Sequence, residues 1–405
     1  MASRRKIILI LIDSLGSRFF AENPTRFPFL NAISRNGKCN YDVRAATPGT
    51  SLPGRAALLT GRSPRDTGIY GNALFNGTAF RHGGPADVRG NTIAARARLA
   101  GLTVASLGFG LVAPDDADVH AAPWWSHMPM AGMTTPKVPA NGEGSETLVL
   151  HDRIGVTDMV VESIPFTQSA QREAATQLHA HFVGLLADHR MFRLAGAAAC
   201  GPQPADLILI EFDMTDIIAH FHGFDSEVTR SVFAQADAAV GRLFDQLEHA
   251  GRLDDYLVVI CGDHGQQPVA TAIYPDSLLA DRPWASEGAT LHVVVNGRPL
   301  DGTVLSHFEA LGIAPLGTAH LPVEHENGIA SFVAAPGTSF EPKPARVPAD
   351  QITGEPSIIS THGYSPHDPS DRTVCIAHGP GAEDIDIACL SDVAHAIART
   401  LELPQ

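Results

Sequence analysis

The run Ile7-Ile-Leu-Ile-Leu-Ile12 is apolar at every position. A half-buried strand would alternate, so an unbroken run of this length reads as a central parallel strand covered on both faces. Asp206-Leu-Ile-Leu-Ile-Glu-Phe212 and Tyr256-Leu-Val-Val-Ile-Cys261 have the same character. Thr103-Val-Ala-Ser-Leu107 and Thr373-Val-Cys-Ile-Ala377 add two strands, and Cys39 to Val43 a short one. Between them, Phe27 to Asn36 reads as a helix closed by Gly37, and Asn91 to Ala100 as one closed by Gly101. Phe166 to Leu194 is mostly helical in pattern. Ser226 to His249 carries Val228, Val232, Leu243 and Leu247 at helical spacing, and Asp392 to Leu401 is a further helix. The alternation predicts an α/β fold with a mostly parallel central sheet and helices on both faces.

Two stretches break the pattern. Residues 111–165 are rich in Pro, Gly and Met and contain Trp124-Trp125, so they read as a loop excursion over the sheet edge within the core. Such a loop serves as a lid, or its tryptophans pack on the core. Residues 266–355 shift in composition, with strand-like Leu291 to Val295 and Ile329 to Ala334, a helix near Val304 to Leu311, and a Pro-rich return. They are expected to form an inserted α+β cap, leaving 1–265 and 356–405 as the catalytic core.

Composition narrows the chemistry. At 405 residues and 44% hydrophobic content the chain can bury a large core. A net charge of -15 argues against a nucleic-acid polymer as partner, and an anionic substrate would need a local positive centre such as a metal. The five cysteines are widely spaced with no Cys-x-x-Cys pair, so neither a disulfide framework nor a thiolate zinc site is expected. A reduced, cytoplasmic compartment fits. Arg4-Arg5-Lys6 ahead of an apolar run imitates a signal peptide, but the run is short and ends at Asp13. No apolar run approaches the ~20 residues that span a bilayer, so no membrane partner is expected. The sequence carries no signal of oligomeric state.

The candidate chemistry gathers around Thr47-Pro-Gly-Thr-Ser51-Leu-Pro53-Gly-Arg55. Pro53 suits a first helical turn, Ala56 to Leu59 favour helix and Gly61 ends it, placing Ser51 at or just before the N-cap. A serine there is an ordinary cap or a nucleophile. Asp13, Asp216, His220, Asp263, His264 and His362 each end an apolar run or sit in a Gly-flanked turn, where the ligands of α/β enzymes collect. Asp216 and His220, four apart, share one helical face, and Asp263-His264 offers two side chains from one turn. Four oxygen donors, Asp13, Ser51, Asp216 and Asp263, with three imidazoles suit borderline divalent ions such as Zn²⁺ better than a single Ca²⁺, and imply two metal ions. His222, two residues after His220, is either a ligand exchangeable with it or, as expected, a hydrogen-bonding group. His367 and His378 are expected at loops or the surface, and Arg55 in a salt bridge rather than reaching the substrate from the helix start.

These motifs resemble the alkaline phosphatase superfamily, in its nucleotide pyrophosphatase/phosphodiesterase and phosphonoacetate hydrolase branch. The resemblance implies an alkaline phosphatase-like fold and two zinc ions, one held by Asp13, Ser51, Asp263 and His264, the other by Asp216, His220 and His362. It also implies that Ser51 is the catalytic nucleophile, where phosphodiesterases usually carry Thr, and that Asn72, 21 positions later, donates to a phosphoryl oxygen. The implied function is hydrolysis of a small-molecule phosphodiester or pyrophosphate through a phospho-seryl intermediate. A phosphonoacetate-type phosphonate hydrolase is the alternative. Ser106 to Pro114, however, holds no lysine or arginine for a substrate carboxylate, and Phe109, Leu111, Trp124 and Trp125 better suit an uncharged or aromatic substituent. Ser51-Leu-Pro53-Gly-Arg55 with Leu59-Thr60-Gly61 also resembles the sulfatase signature, but sulfatases bind one Ca²⁺ and lack the set of Asp216, His220 and His362. A non-catalytic metal-binding protein would require an inert Ser51 beside a complete ligand set.

Overall fold

A computed structural model describes residues 5–127, 149–160, 177–279 and 282–404. Among the described residues, eight strands form the main sheet. They are β1 (Lys6–Ile12), β2 (Lys38–Arg44), β3 (Val104–Leu107), β4 (Val119–Ala121), β5 (Val149–Asp152), β6 (Leu207–Phe212), β7 (Tyr256–Cys261) and β8 (Arg372–His378). Their order is β2-β8-β7-β1-β6-β3-β4-β5, with β7, β1, β6, β3 and β4 parallel. β8 runs antiparallel to both neighbours, and β5 closes the far edge antiparallel to β4.

The unbroken apolar runs occupy the centre for a physical reason. Ile8, Ile10 and Ile12 pack on one face with Phe19, Phe27, Phe233 and Val240, whereas Ile7, Leu9 and Leu11 pack on the other with Leu52, Leu58 and Ile397. Burial on both faces removes any use for a polar position. The first face is covered by α1 (Pro28–Asn36), α4 (Gln177–Cys200) and α6 (Glu227–His249). The second is covered by α2 (Ser51–Thr60), α3 (Ile93–Leu99) and α7 (Leu390–Thr400). A further helix, α5 (Met214–His222), leaves the end of β6.

The stretch 111–165 is not loop throughout. β4 and β5 extend the sheet beyond β3, and they are too short, at three and four residues, to show a period in sequence. Trp124 is buried against the first core, with Met214 and Gly184 beside it. Residues 128–148 and 161–165 lie outside the described residues, as does the Phe166 to Thr176 part of the expected helix.

Between β7 and β8 the chain builds a smaller unit. Trp284–Glu287, Thr290–Val294, Ile329–Val333 and Ala314–Pro315 form an antiparallel sheet in that order, backed by the helix Gly302–Ala310. Leu291, Val293, Phe308 and Phe332 make its core, which Tyr364 joins from beyond residue 355. Its strand-turn-strand 284–294 leans on the catalytic side of the main sheet, where the Ala289 N–H donates to the His362 carbonyl at 3.1 Å.

Candidate active site

Register sets the site. Ile12 pairs with Phe212, and Leu11 with Cys261, so the residues following β1, β6 and β7 leave one edge of the sheet side by side. Asp13, Asp213 and Asp263 therefore meet at the carboxyl ends of three adjacent parallel strands, the usual location of ligands in such sheets. Helix α2 enters the same place. Its approach depends on Gly54, where a Cβ would lie 2.8 Å from the Asp263 Cβ.

The structure corrects the position of Ser51. Thr50 is the N-cap, extended at φ -128° and ψ 161°, and Ser51 is the first helical residue. The Thr50 side chain makes no capping bond. The Ser51 hydroxyl is thus not occupied in satisfying a backbone N–H, and its Oγ lies 3.2 Å from His264 Nε2. Asn72 also reaches the helix start, its Oδ1 accepting from the Leu52 N–H at 2.7 Å, which leaves its amide Nδ2 as a donor beside Ser51.

The six remaining candidate ligands fall into two adjoining groups. In one, Asp216 Oδ2 is 3.2 Å from His220 Nε2 and Asp216 Oδ1 is 3.7 Å from His362 Nε2. In the other, His264 Nε2 is 3.5 Å from both Asp13 Oδ1 and Asp263 Oδ2. One ligand atom each from Asp216, His220 and His362 lie within 4.8 Å of one another, as do atoms from Asp13, Asp216 and His264. Asp216 stands between the groups. His220 Nδ1 donates to the Ser360 carbonyl at 2.8 Å and His362 Nδ1 to the Gly49 carbonyl at 3.0 Å. A carbonyl only accepts, so both rings carry the proton on Nδ1 and present a lone pair on Nε2, the tautomer of a metal ligand.

The donor set fits cations. His264 Nε2 faces three oxygens, yet one imidazole nitrogen holds at most one hydrogen, so an ion between these atoms serves them better than hydrogen bonds do. Asp13 Oδ1 is buried with no hydrogen-bond partner. Burial, then the charge of Asp263, pushes Asp13 well above the usual carboxylate range, and burial pushes Asp263 up to about 6 against the pull of Arg55. Burial opposes ionisation of Asp216 too, but His220, His362 and His264 outweigh it and hold that carboxyl well below its usual value. Such a crowd of acids calls for positive charge.

Arg55 supplies part of it. It is buried, as expected for a salt-bridged residue, with Nη2 2.7 Å from Asp13 Oδ2 and 3.1 Å from Asp213 Oδ1, Nη1 3.2 Å from Asp263 Oδ2, and a further pair to Glu211. The guanidinium takes one oxygen of Asp13 and leaves the other without a hydrogen-bond partner, whereas both oxygens of Asp263 are bonded, Oδ2 to Arg55 and Oδ1 to the backbone N–H groups of Ser14 and His264. Glu211 was the legible sign, a lone acid inside an apolar strand that must find a partner. Ser14 and Gln266 were not foreseen. Ser14, at φ 61°, donates its N–H to Asp263 Oδ1 at 3.1 Å and its hydroxyl to Asp216 Oδ1 at 2.6 Å, and Gln266 Nε2 donates to the same oxygen at 2.5 Å. A non-glycine residue in the left-handed region marks strain held in place by these bonds.

Of the apolar residues expected to face substrate, Phe109, Leu111 and Trp124 are core. The left-handed turns at Gly108 (φ 73°) and Leu111 (φ 68°) fold the segment inward. Only Trp125 stays half-buried, its ring 5.5 Å from that of His82, which precedes the Gly83 that borders Leu52. His222 and His367 are exposed and His378 is half-buried, and none of them belongs to the clustered ligand groups.

Residues 7–376 match the family described as type I phosphodiesterase / nucleotide pyrophosphatase. The chain belongs to this family. Membership supports phosphodiester or pyrophosphate hydrolysis and implies dependence on divalent metal ions, typically Zn²⁺. Similar solved structures include murine ectonucleotide pyrophosphatase / phosphodiesterase 5, at 15% identity and TM-score 0.64 over 99% of this chain and 96% of that one. An inactive threonine-to-alanine variant of the murine protein in complex with AMP aligns equally well. The human counterpart aligns at 15% identity and TM-score 0.65, with the same shares of both chains. At this identity they speak for the fold, which is the alkaline phosphatase-like one. No curated protein sequence matches the chain.

Proposed function

We propose that the protein hydrolyses small-molecule phosphodiesters or pyrophosphate-linked nucleotides through a covalent phospho-seryl intermediate at Ser51. The observation that carries this reading is the uncapped Ser51 hydroxyl, half-buried at a helix start and 3.2 Å from His264 Nε2 within a cluster of acids and imidazoles. We assign Asp13, Ser51, Asp263 and His264 to one zinc ion and Asp216, His220 and His362 to the other. When bound, the ions would lower the pKa of the attacking hydroxyl and stabilise the leaving oxygen.

The chain's own groups do the rest. Ser51 Oγ attacks phosphorus, the ester oxygen opposite departs, and water then displaces Ser51 from the reverse side. Asn72 Nδ2, fixed because its Oδ1 is held by the Leu52 N–H, donates to a non-bridging oxygen as charge develops there. Arg55 and Ser14 keep Asp13, Asp216 and Asp263 in orientation.

For the substrate, Trp125 beside His82 offers an aromatic surface near Leu52. A nucleobase or aryl group suits it, and the murine neighbour's complex with AMP supports a nucleotide. The test is Ser51→Ala with a nitrophenyl phosphodiester. Turnover should fall by at least about 10³-fold with metal content unchanged, whereas Thr50→Ala should keep most activity. The reverse pattern would assign the nucleophile to Thr50.

A further inference from the structure

Glu287 is a buried acid of the smaller unit whose side chain reaches across to the main one. It ends the strand Trp284–Glu287, and its Oε1 accepts the Ala73 N–H at 2.7 Å, with the Asn72 N–H facing the same carboxylate. Its Oε2 is buried and makes no hydrogen bond of good geometry, while the Thr50 hydroxyl faces the same carboxylate. The approach is close by design of the sequence, because a Cβ at Gly71 would fall 2.5 Å from Glu287 Oε1 and 3.0 Å from His292 Nε2. Only glycine lets the loop sit there. On the other side of the loop, Asn72 Oδ1 is fixed by the Leu52 N–H and the Asn72 carbonyl accepts from the Gly83 N–H at 2.8 Å. The loop carrying Asn72 is therefore held from two sides, and Glu287 is the side chain that holds it from the smaller unit.

We propose that Glu287 is a positioning residue for the reaction, clamping the backbone of residues 72 and 73 so that the Asn72 amide stays aimed at the phosphoryl oxygen. The proposal rests on the role given above to Asn72. It assigns the smaller unit a part in transition-state binding, since a carboxylate supplied 214 residues away in sequence sets the angle of a donor beside Ser51. A donor that tightens only in the transition state is sensitive to small displacements, and about 1 Å of misplacement can cost about 10²-fold in rate. Ground-state binding is little affected.

Three substitutions separate positioning from general support of the fold. Burial pushes the Glu287 carboxyl up to about 7, so Glu287→Gln is a close match in shape and acceptor capacity and should retain most activity. Glu287→Ala, assayed on a nitrophenyl phosphodiester with the metal-loaded enzyme, should lower kcat by roughly 10- to 100-fold with KM within about threefold and metal content equal to the parent's. Glu287→Asp, too short to keep the Ala73 contact, should behave like Glu287→Ala and carries the test if the alanine variant does not fold. The deciding measurement is a double-mutant cycle. In an Asn72→Ala background, whose own kcat should be reduced about 10²- to 10³-fold, removing Glu287 should change kcat by less than about threefold. Full additivity of the two losses, or an unchanged kcat in Glu287→Ala, overturns the proposal. If Asn72→Ala itself has no effect, the role of Asn72 fails instead, and the proposal with it.

Discussion

Replacing Arg55 by lysine tests how the acids of the site are held. The guanidinium meets four buried carboxylates, those of Asp13, Glu211, Asp213 and Asp263, from two nitrogens. Burial alone would lower its pKa, but Asp13, Asp263 and Asp213 hold it above its ordinary value, so it is fully charged. Lysine keeps the charge at a single point on a shorter reach and cannot fork between the Asp263 side and the Asp13 side. At least one carboxylate is then stranded in the interior, and breaking a buried pair costs about 3–5 kcal/mol. Urea unfolding of chelator-treated Arg55→Lys should show a loss of that size. With metal ions present the loss should grow, because bound cations stabilise only the folded state and the variant is expected to bind them more weakly than the parent. Metal affinity, followed by competition with a chelator, should drop about 10- to 100-fold as Asp13 and Asp263 lose their orientation. A variant within about 0.5 kcal/mol of the parent and with equal metal affinity would refute this account of Arg55.

Three further outcomes are expected. Protein purified without chelator should contain close to two equivalents of zinc or a similar ion by elemental analysis, and chelation should abolish turnover; one equivalent of calcium would contradict the ligand assignment. In kcat/KM a nitrophenyl phosphodiester should exceed both a nitrophenyl monoester and phosphonoacetate, and a preference for phosphonoacetate would overturn the diester reading. Acid should destabilise the fold through buried imidazoles. Burial, with a smaller push from neighbouring histidines where present, lowers His292 to about 3 and His120 and His320 to about 4. The unfolded chain takes up protons below about pH 6.5 that the native state refuses until its own pKa is reached. The contribution of these three imidazoles should therefore be intact above pH 6.5 and fall as pH drops towards 4, while carboxyls raised by burial, such as those of Asp263 and Glu287, titrate in the opposite sense. His292→Gln should remove about one proton from that slope, as measured by denaturant titrations at several pH values.

The sequence alone determined the parts whose physics is local. An unbroken apolar run such as Ile7 to Ile12 has one stable use, a strand buried on both faces, so the parallel centre of the sheet was legible. Asp13 and Asp263-His264 follow such runs directly, and Asp216 and His220 are one helical turn apart, so their convergence at one sheet edge needed only the strands to be parallel neighbours. Tertiary structure decided whatever depends on partners distant in the chain. Whether Ser51 or Thr50 caps α2 is a matter of one residue of helix phase, set by the packing of Gly54 against Asp263. Phe109 and Trp124 have the same composition as a substrate pocket, and only the turns around them send them into the core. The short edge strands β4 and β5 are too brief to carry a period and exist because β3 offers a free ladder. The sharpest case is charge. A buried acid needs a partner, but nothing near Glu211 or Glu287 in sequence names it, and the fold alone brings Arg55 to the first and the backbone beside Asn72 to the second.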